Sequence, residues 1–117
     1  MRVLVTGGSN TPGYKIAQEF ARTGYKVVAQ YNEHEIPEID GIERVRVDFR
    51  ESSKIIELVN NIKPDIIIHT AAIGDVDKCE IEKELAWKVN VEATLTFAKE
   101  FSKFNMFLLI FIHRLCF

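Results

Sequence analysis

A chain of 117 residues, 47% of them hydrophobic, is long enough to bury one core and too short for two ordinary domains. Its 15 basic and 17 acidic residues leave a formal charge of −2, so no positive field draws it onto nucleic acid or an anionic membrane, and its hydrophobicity excludes a disordered chain. Two cysteines, Cys79 and Cys116, make no disulfide framework, the N-terminus lacks a secretory apolar stretch, and the longest apolar run, Met106 to Ile112, is far below the roughly 20 residues of a membrane span, so a soluble, cytoplasmic protein is expected.

The elements follow in chain order. Arg2 to Thr6 is a β-branched run stopped by Gly7-Gly8, which predicts a strand buried on both faces. Ile16, Ala17, Phe20 and Ala21 recur at helical spacing before Gly24, which predicts a helix from about Pro12 to Thr23. Lys26 to Gln30 reads as the second strand, and residues 31–42, polar and broken by Pro37 and Asp40-Gly41, read as a loop in place of the usual crossover helix. Arg44 to Asp48 is the expected third strand. Ile55, Val59 and Ile62 mark a helix closed by Pro64, and Asp65 to His69 is the fourth strand.

Leu85, Val89, Ala93, Phe97 and Phe101 lie four apart, which predicts a long helix from about Lys83 to Ser102, with Trp87 and the phenylalanines in the core. Met106 to Ile112 is the expected fifth strand. Apolar strands alternating with helices predict a doubly wound parallel α/β sheet, Rossmann-like and cut after about five strands, within one domain over residues 1–117.

In such sheets ligands bind beyond the carboxyl ends of the strands, where strand order reverses. Three segments reach that edge: residues 6–13 (Thr-Gly-Gly-Ser-Asn-Thr-Pro-Gly), Asp48-Phe49-Arg50, and His69-Thr70-Ala71-Ala72. The first joins a strand to a helix N-terminus, where unpaired N–H groups and the helix dipole favour phosphate. A Walker loop needs Lys directly after the second glycine, and Gly13 is followed by Tyr14 instead. A dinucleotide fingerprint fits better, with Asn10 at its middle glycine position.

The end of the second strand, where a carboxylate would hold the adenosine ribose, carries Gln30, Tyr31 and Asn32, so strict NAD preference is not expected. Asp48 is placed to accept from the adenine amino group, and Ala71 and Ala72 to let the other ribose approach. Asp75 to Glu80 lacks the glycine and distal glutamate of a calcium loop and reads as a charged loop or helix start. His34, His69 and His113 form no ligand pair, and no metal is expected.

Thr6-Gly7-Gly8, Asp48-Phe49-Arg50, the run from Lys63 to Ala72, Asp75 to Glu80, and Trp87 to Ala93 together resemble the N-terminal part of the dTDP-4-dehydrorhamnose reductase family of extended short-chain dehydrogenases. The resemblance covers residues 1 to about 105. It implies an NADP or NAD cofactor, with Gly7, Asn10, Thr11, Pro12 and Gly13 along the pyrophosphate, Asn32 at the cofactor, Asp48 and Phe49 at adenine, and Ala71, Ala72 and Ile73 beside the nicotinamide ribose. It implies reduction of a 4-keto nucleotide sugar, a substrate expected only for a full-length form. The same resemblance extends to the regulatory subunit of methionine adenosyltransferase, which implies a non-catalytic dinucleotide-binding module as the alternative.

In the reductases the fifth strand leads to a Ser-Thr-Asp-Tyr-Val-Phe segment and later to a Tyr-x-x-x-Lys pair, and neither is present here. Ile112 to Phe117 can be encoded by ATC CAC AGA CTA TGT TTT, which read one nucleotide along gives Ser-Thr-Asp-Tyr-Val and a codon beginning TT. Residues 112–117 are therefore expected to be out of frame. A sheet ending there is expected to be inactive in reduction and marginally stable, with six of 8 phenylalanines in the final 21 residues and an open edge for self-association.

Overall fold

The computed structural model describes residues 1–9, 11–70, 80–103 and 107–110. The elements are β1 (Arg2–Thr6), α1 (Thr11–Arg22), β2 (Lys26–Tyr31), β3 (Ile42–Arg46), α2 (Ser52–Ile62), β4 (Ile66–His69), α3 (Lys83–Trp87), a π-helical turn (Lys88–Glu92), α4 (Ala93–Lys103) and β5 (Phe107–Ile110). The five strands form one parallel sheet in the order β3-β2-β1-β4-β5. This is the expected doubly wound sheet, and strand order reverses between β1 and β4.

Alternation along the central strands builds the two cores. Leu4, Val28 and Ile67 point to one face, under Ile55, Leu58, Val59, Ala93 and Phe97 of α2 and α4. Val3, Val5, Val27, Ala29 and Ile68 point to the other, against Ala17 of α1. Each buried Val, Leu, Ile or Phe among them contributes about 1.5–3 kcal/mol. Connection 31–42 has no helix, as expected. Ile36, 2% exposed, drops from it into the α1-side core and supplies cover that a crossover helix would otherwise give.

Two expectations are corrected. The third strand is Ile42–Arg46 rather than Arg44 to Asp48, because its limits follow pairing with β2, from Val27 opposite Ile42 to Tyr31 opposite Arg46. The long helix buries Ala86, Asn90, Ala93, Phe97 and Glu100, and leaves Trp87 49% exposed instead of in the core. The buried positions alternate steps of four and three, the 3.6-residue period of a helix, so position 87 lies one residue off the buried face; a π-helical turn, Lys88–Glu92, joins α3 and α4. Just after it, the Thr94 and Thr96 hydroxyls donate back to the carbonyls of Asn90 (3.0 Å) and Glu92 (2.9 Å), the back-bonding that bends helices.

Candidate functional site

The parallel register sets Thr6 opposite His69 and Tyr31 opposite Arg46, so the expected segments do end on one edge of the sheet. Gly7 makes the turn out of β1 with φ +68°, a left-handed conformation that L side chains resist. Its N–H donates to Gln30 Oε1 (2.9 Å), and the Gly8 N–H donates to the Gln30 carbonyl (2.8 Å). Both groups therefore point inward. What the loop offers a phosphate is the first turn of α1, which Thr11 opens and exposed Pro12 continues.

Gly13 has a different task. A Cβ there would lie 2.2 Å from the Gly7 carbonyl oxygen and 2.8 Å from Thr70 Oγ1, so only glycine lets α1 seat against the loop and β4. This is the helix-to-strand packing role of the last fingerprint glycine.

The base of the loop is tied to β4 through His69, whose place at the strand edge the sequence shows and whose partners it does not. His69 is 2% exposed, with Nδ1 2.7 Å from Thr6 Oγ1 and Nε2 3.0 Å from Thr94 Oγ1. Because Thr94 donates its one hydroxyl proton to Asn90, the imidazole Nε2–H donates to Thr94, and Nδ1 accepts from Thr6. Thr6 Oγ1 in turn accepts from the Thr70 N–H (3.0 Å), and the Thr70 hydroxyl donates to the Thr6 carbonyl. Burial pushes the His69 pKa down to about 4 and keeps the ring neutral. Its ring also packs against Phe97, centroids 4.8 Å apart.

At the ends of β2 and β3, Gln30 is 3% exposed and acts as a brace, since its Nε2 also donates to the Val47 carbonyl (2.7 Å). Asn32 lies just past β2, and its Oδ1 is buried without a partner among the described residues. Arg46 Nε donates to the Asn32 carbonyl (3.0 Å). The Asp48 carboxylate is gripped by Arg50, whose Nε lies 3.0 and 2.8 Å from its two oxygens, and this hydrogen bonding lowers the Asp48 pKa. The Phe49 ring, expected at adenine, is instead 4% exposed and packs edge-on against Phe97 at 5.3 Å.

The structure thus brings Gly7, Thr11, Pro12, Gly13, Asn32, Asp48 and Phe49 to one edge, while Asn10, Ala71, Ala72 and Ile73 lie outside the described residues, as does Asp75 to Cys79. Gln30, His69 and Thr94 were missed as partners because a polar residue in an apolar run reveals burial only once its tertiary neighbours are known. Among the described residues no group of His, Cys, Asp and Glu is arranged to hold a metal, and no helix is long and apolar enough to cross a membrane.

A doubly wound parallel sheet with a glycine turn beside its switch point defines a Rossmann-like domain. The chain belongs to the RmlD substrate binding domain family, whose model matches residues 1–113. It is 32% identical over 90 residues to Probable low-salt glycan biosynthesis reductase Agl14 of Haloferax volcanii, covering 77% of this chain and 29% of that protein. It is 27% identical over 108 residues to methionine adenosyltransferase 2 subunit beta of Rattus norvegicus, covering 92% of this chain and 31% of the relative.

Among solved structures, a hypothetical dTDP-4-dehydrorhamnose reductase from Sulfolobus tokodaii superposes with TM-score 0.82 at 32% identity, over 94% of this chain and 38% of that one. The UDP-glucose 4-epimerase of Thermus thermophilus, solved in complex with NAD, superposes with TM-score 0.76 at 25% identity, over 88% of this chain and 34% of that one. The chain spans about a third of the length of the relatives it matches.

Proposed function

We propose that this chain is the nicotinamide-dinucleotide-binding part of a reductase acting on a nucleotide sugar, with the pyrophosphate at the N-terminus of α1. The observation that carries the reading is the loop between β1 and α1: a left-handed Gly7, two N–H groups fastened to Gln30, and a Gly13 that cannot carry a side chain. That construction brings a helix N-terminus to the reversal of strand order, the place where such sheets take dinucleotides. The chain's likeness to an epimerase solved with NAD supports the same cofactor class. The group, when bound, supplies hydride chemistry. The residues here hold it: the first turn of α1 at the phosphates, and Asn32 and Asp48 at the adenosine end.

The chain contains no Tyr-x-x-x-Lys pair, so reduction needs residues beyond those given. The frame reading supplies a route to them. DNA that continues, one nucleotide over from codons 109–112, into an open frame with Tyr-x-x-x-Lys is the expected result; a stop in every frame overturns it. A non-catalytic dinucleotide-binding module is the second reading, supported by the likeness to the methionine adenosyltransferase subunit, and the same DNA separates the two.

The binding claim is tested by titrating the 117-residue chain into NADH and NADPH and following nicotinamide fluorescence. Saturable enhancement with at least one is expected, and none with either overturns the proposal. Exposed Phe107 on edge strand β5, at 70%, supports self-association and dye binding, so a strictly monomeric sample that binds no hydrophobic dye would remove that part. The reading places the protein in the cytoplasm, which cell fractionation checks.

A further inference from the structure

We propose that Ile36 is a positioning residue for the loop between β1 and α1: seated against Gly8, it ties that loop to the helix-free connection 31–42, so that dinucleotide affinity depends on a buried side chain of the connection. The inference rests on the dinucleotide reading above and adds the element that holds the phosphate-binding turn in shape.

Among the described residues of 32–41, Ile36 alone is buried, in a stretch whose other members include Glu33, His34, Glu35, Glu38 and Asp40. Backbone ties from β3 fix the path of this stretch. Arg44 Nη1 donates to the Ile36 carbonyl (2.9 Å), Arg46 Nε to the Asn32 carbonyl (3.0 Å) and the Ile42 N–H to the Ile39 carbonyl (3.2 Å). The one apolar side chain is thereby delivered to a set place, and that place is Gly8.

Gly8 does not adopt the left-handed conformation of Gly7, so backbone freedom is not what requires glycine there. Space is. A Cβ on Gly8 would lie 2.7 Å from Ile36 Cδ1, 3.0 Å from Ala29 Cβ and 3.4 Å from the Gln30 carbonyl oxygen, to which its N–H already donates at 2.8 Å. The turn therefore sits in a slot between β2 and Ile36. Ala29, on the β2 side of that slot, lies opposite Arg44 in the sheet register, so the clamp on Ile36 and the wall against Gly8 are adjacent. Thr11 opens α1 only three residues after Gly8. In a close-packed interior a displaced turn carries its neighbours with it, and here the neighbour is the helix start that faces the phosphates. Gly8 and Ile36 thus form a size pair, in which a methyl gained at one position is accommodated by a methyl lost at the other.

The test titrates NADH and NADPH with the 117-residue chain as wild type, Gly8→Ala, Ile36→Val and the double variant. Val27→Ala, in the same α1-side core, is the control for lost stability alone. Gly8→Ala should weaken both dinucleotides by about tenfold and by the same factor, since the turn and not the adenosine end is disturbed. Adding Ile36→Val should bring both back to within about threefold of wild type, although it removes a core methyl group. Val27→Ala should lower the urea midpoint and leave affinity unchanged, a split that a merely structural Ile36 would not produce. The proposal is overturned if Gly8→Ala binds like wild type, if the double variant binds no better than Gly8→Ala, or if Val27→Ala weakens binding as much. Wild type that binds neither dinucleotide overturns the dinucleotide reading instead. Should Gly8→Ala fail to fold, hydrogen exchange of the wild type decides, with whichever of NADH and NADPH binds more tightly at saturation. Slower exchange is expected in residues 35–41 as well as in the loop, and unchanged exchange in 35–41 sinks the coupling.

Discussion

The centre of the sheet and its β2–β3 edge handle polar groups in opposite ways. Between β1 and β4 the polar side chains close on one another: Thr70 on Thr6, Thr6 on His69, His69 on Thr94, Thr94 on Asn90. At the edge, Asn32 Oδ1 and the Arg46 Nη groups have no protein partner among the described residues. The centre is a fixed base, since changing any member leaves a buried group unpaired. The edge has unsatisfied bonding capacity, which is what recognition of a ligand needs.

The largest expected effect comes from the base. Gly13→Val sets a side chain against the Gly7 carbonyl, where even a Cβ would be 2.2 Å away, and backbone cannot yield as a flexible side chain does. We expect a loss of at least about 3 kcal/mol in urea unfolding, together with dinucleotide binding. A variant of wild-type stability would show that α1 is not seated as described.

Lowering the pH attacks the same region through His69. Its pKa is about 4 in the folded chain against 6.5 for the free side chain, so the unfolded state binds the extra proton between those values and stability falls as pH drops through that window. The shift corresponds to about 3 kcal/mol, complete near pH 4 and absent above pH ~6.5. His69→Gln should flatten this part of the profile, and an unchanged profile in the variant would assign the acid loss to other groups.

Gln30→Leu separates the base from the edge. It leaves the Gly7 N–H and the Val47 carbonyl without their partner, at a cost of about 2 kcal/mol in thermal or urea unfolding. If the melting curve does not move, Gln30 is not the brace between β1 and β3. Arg50→Ala should do least. Its pair with Asp48 is exposed, with 56% and 26% of the two side chains accessible, and such pairs contribute about 0–1 kcal/mol. A larger drop would make this edge as fixed as the centre and break the contrast.

Legibility in the sequence follows the same division. β1, β2 and β4 were readable because strands buried on both faces must be apolar throughout, and Val3-Leu4-Val5 and Ile66-Ile67-Ile68 leave little else. β3 was displaced by two residues because an edge strand such as Ile-Glu-Arg-Val-Arg carries its limits in its pairing with β2 and not in its composition. Trp87 was misplaced because the buried face runs through Ala86, Asn90, Ala93, Phe97 and Glu100, and only the packing shows that the aromatic next to Ala86 lies off it.

What the sequence determined by itself was the doubly wound class, the three segments at the carboxyl edge and the glycine loop between strand and helix, all consequences of local periodicity and backbone sterics. Tertiary structure decided the rest. It turned the N–H groups of Gly7 and Gly8 inward, sent the Phe49 ring into the core, made a buried neutral link of His69 and left Asn32 and Arg46 open. The physical reason is that a polar group's role depends on which donor or acceptor lies within about 3 Å of it, and that partner is supplied by residues distant in the chain.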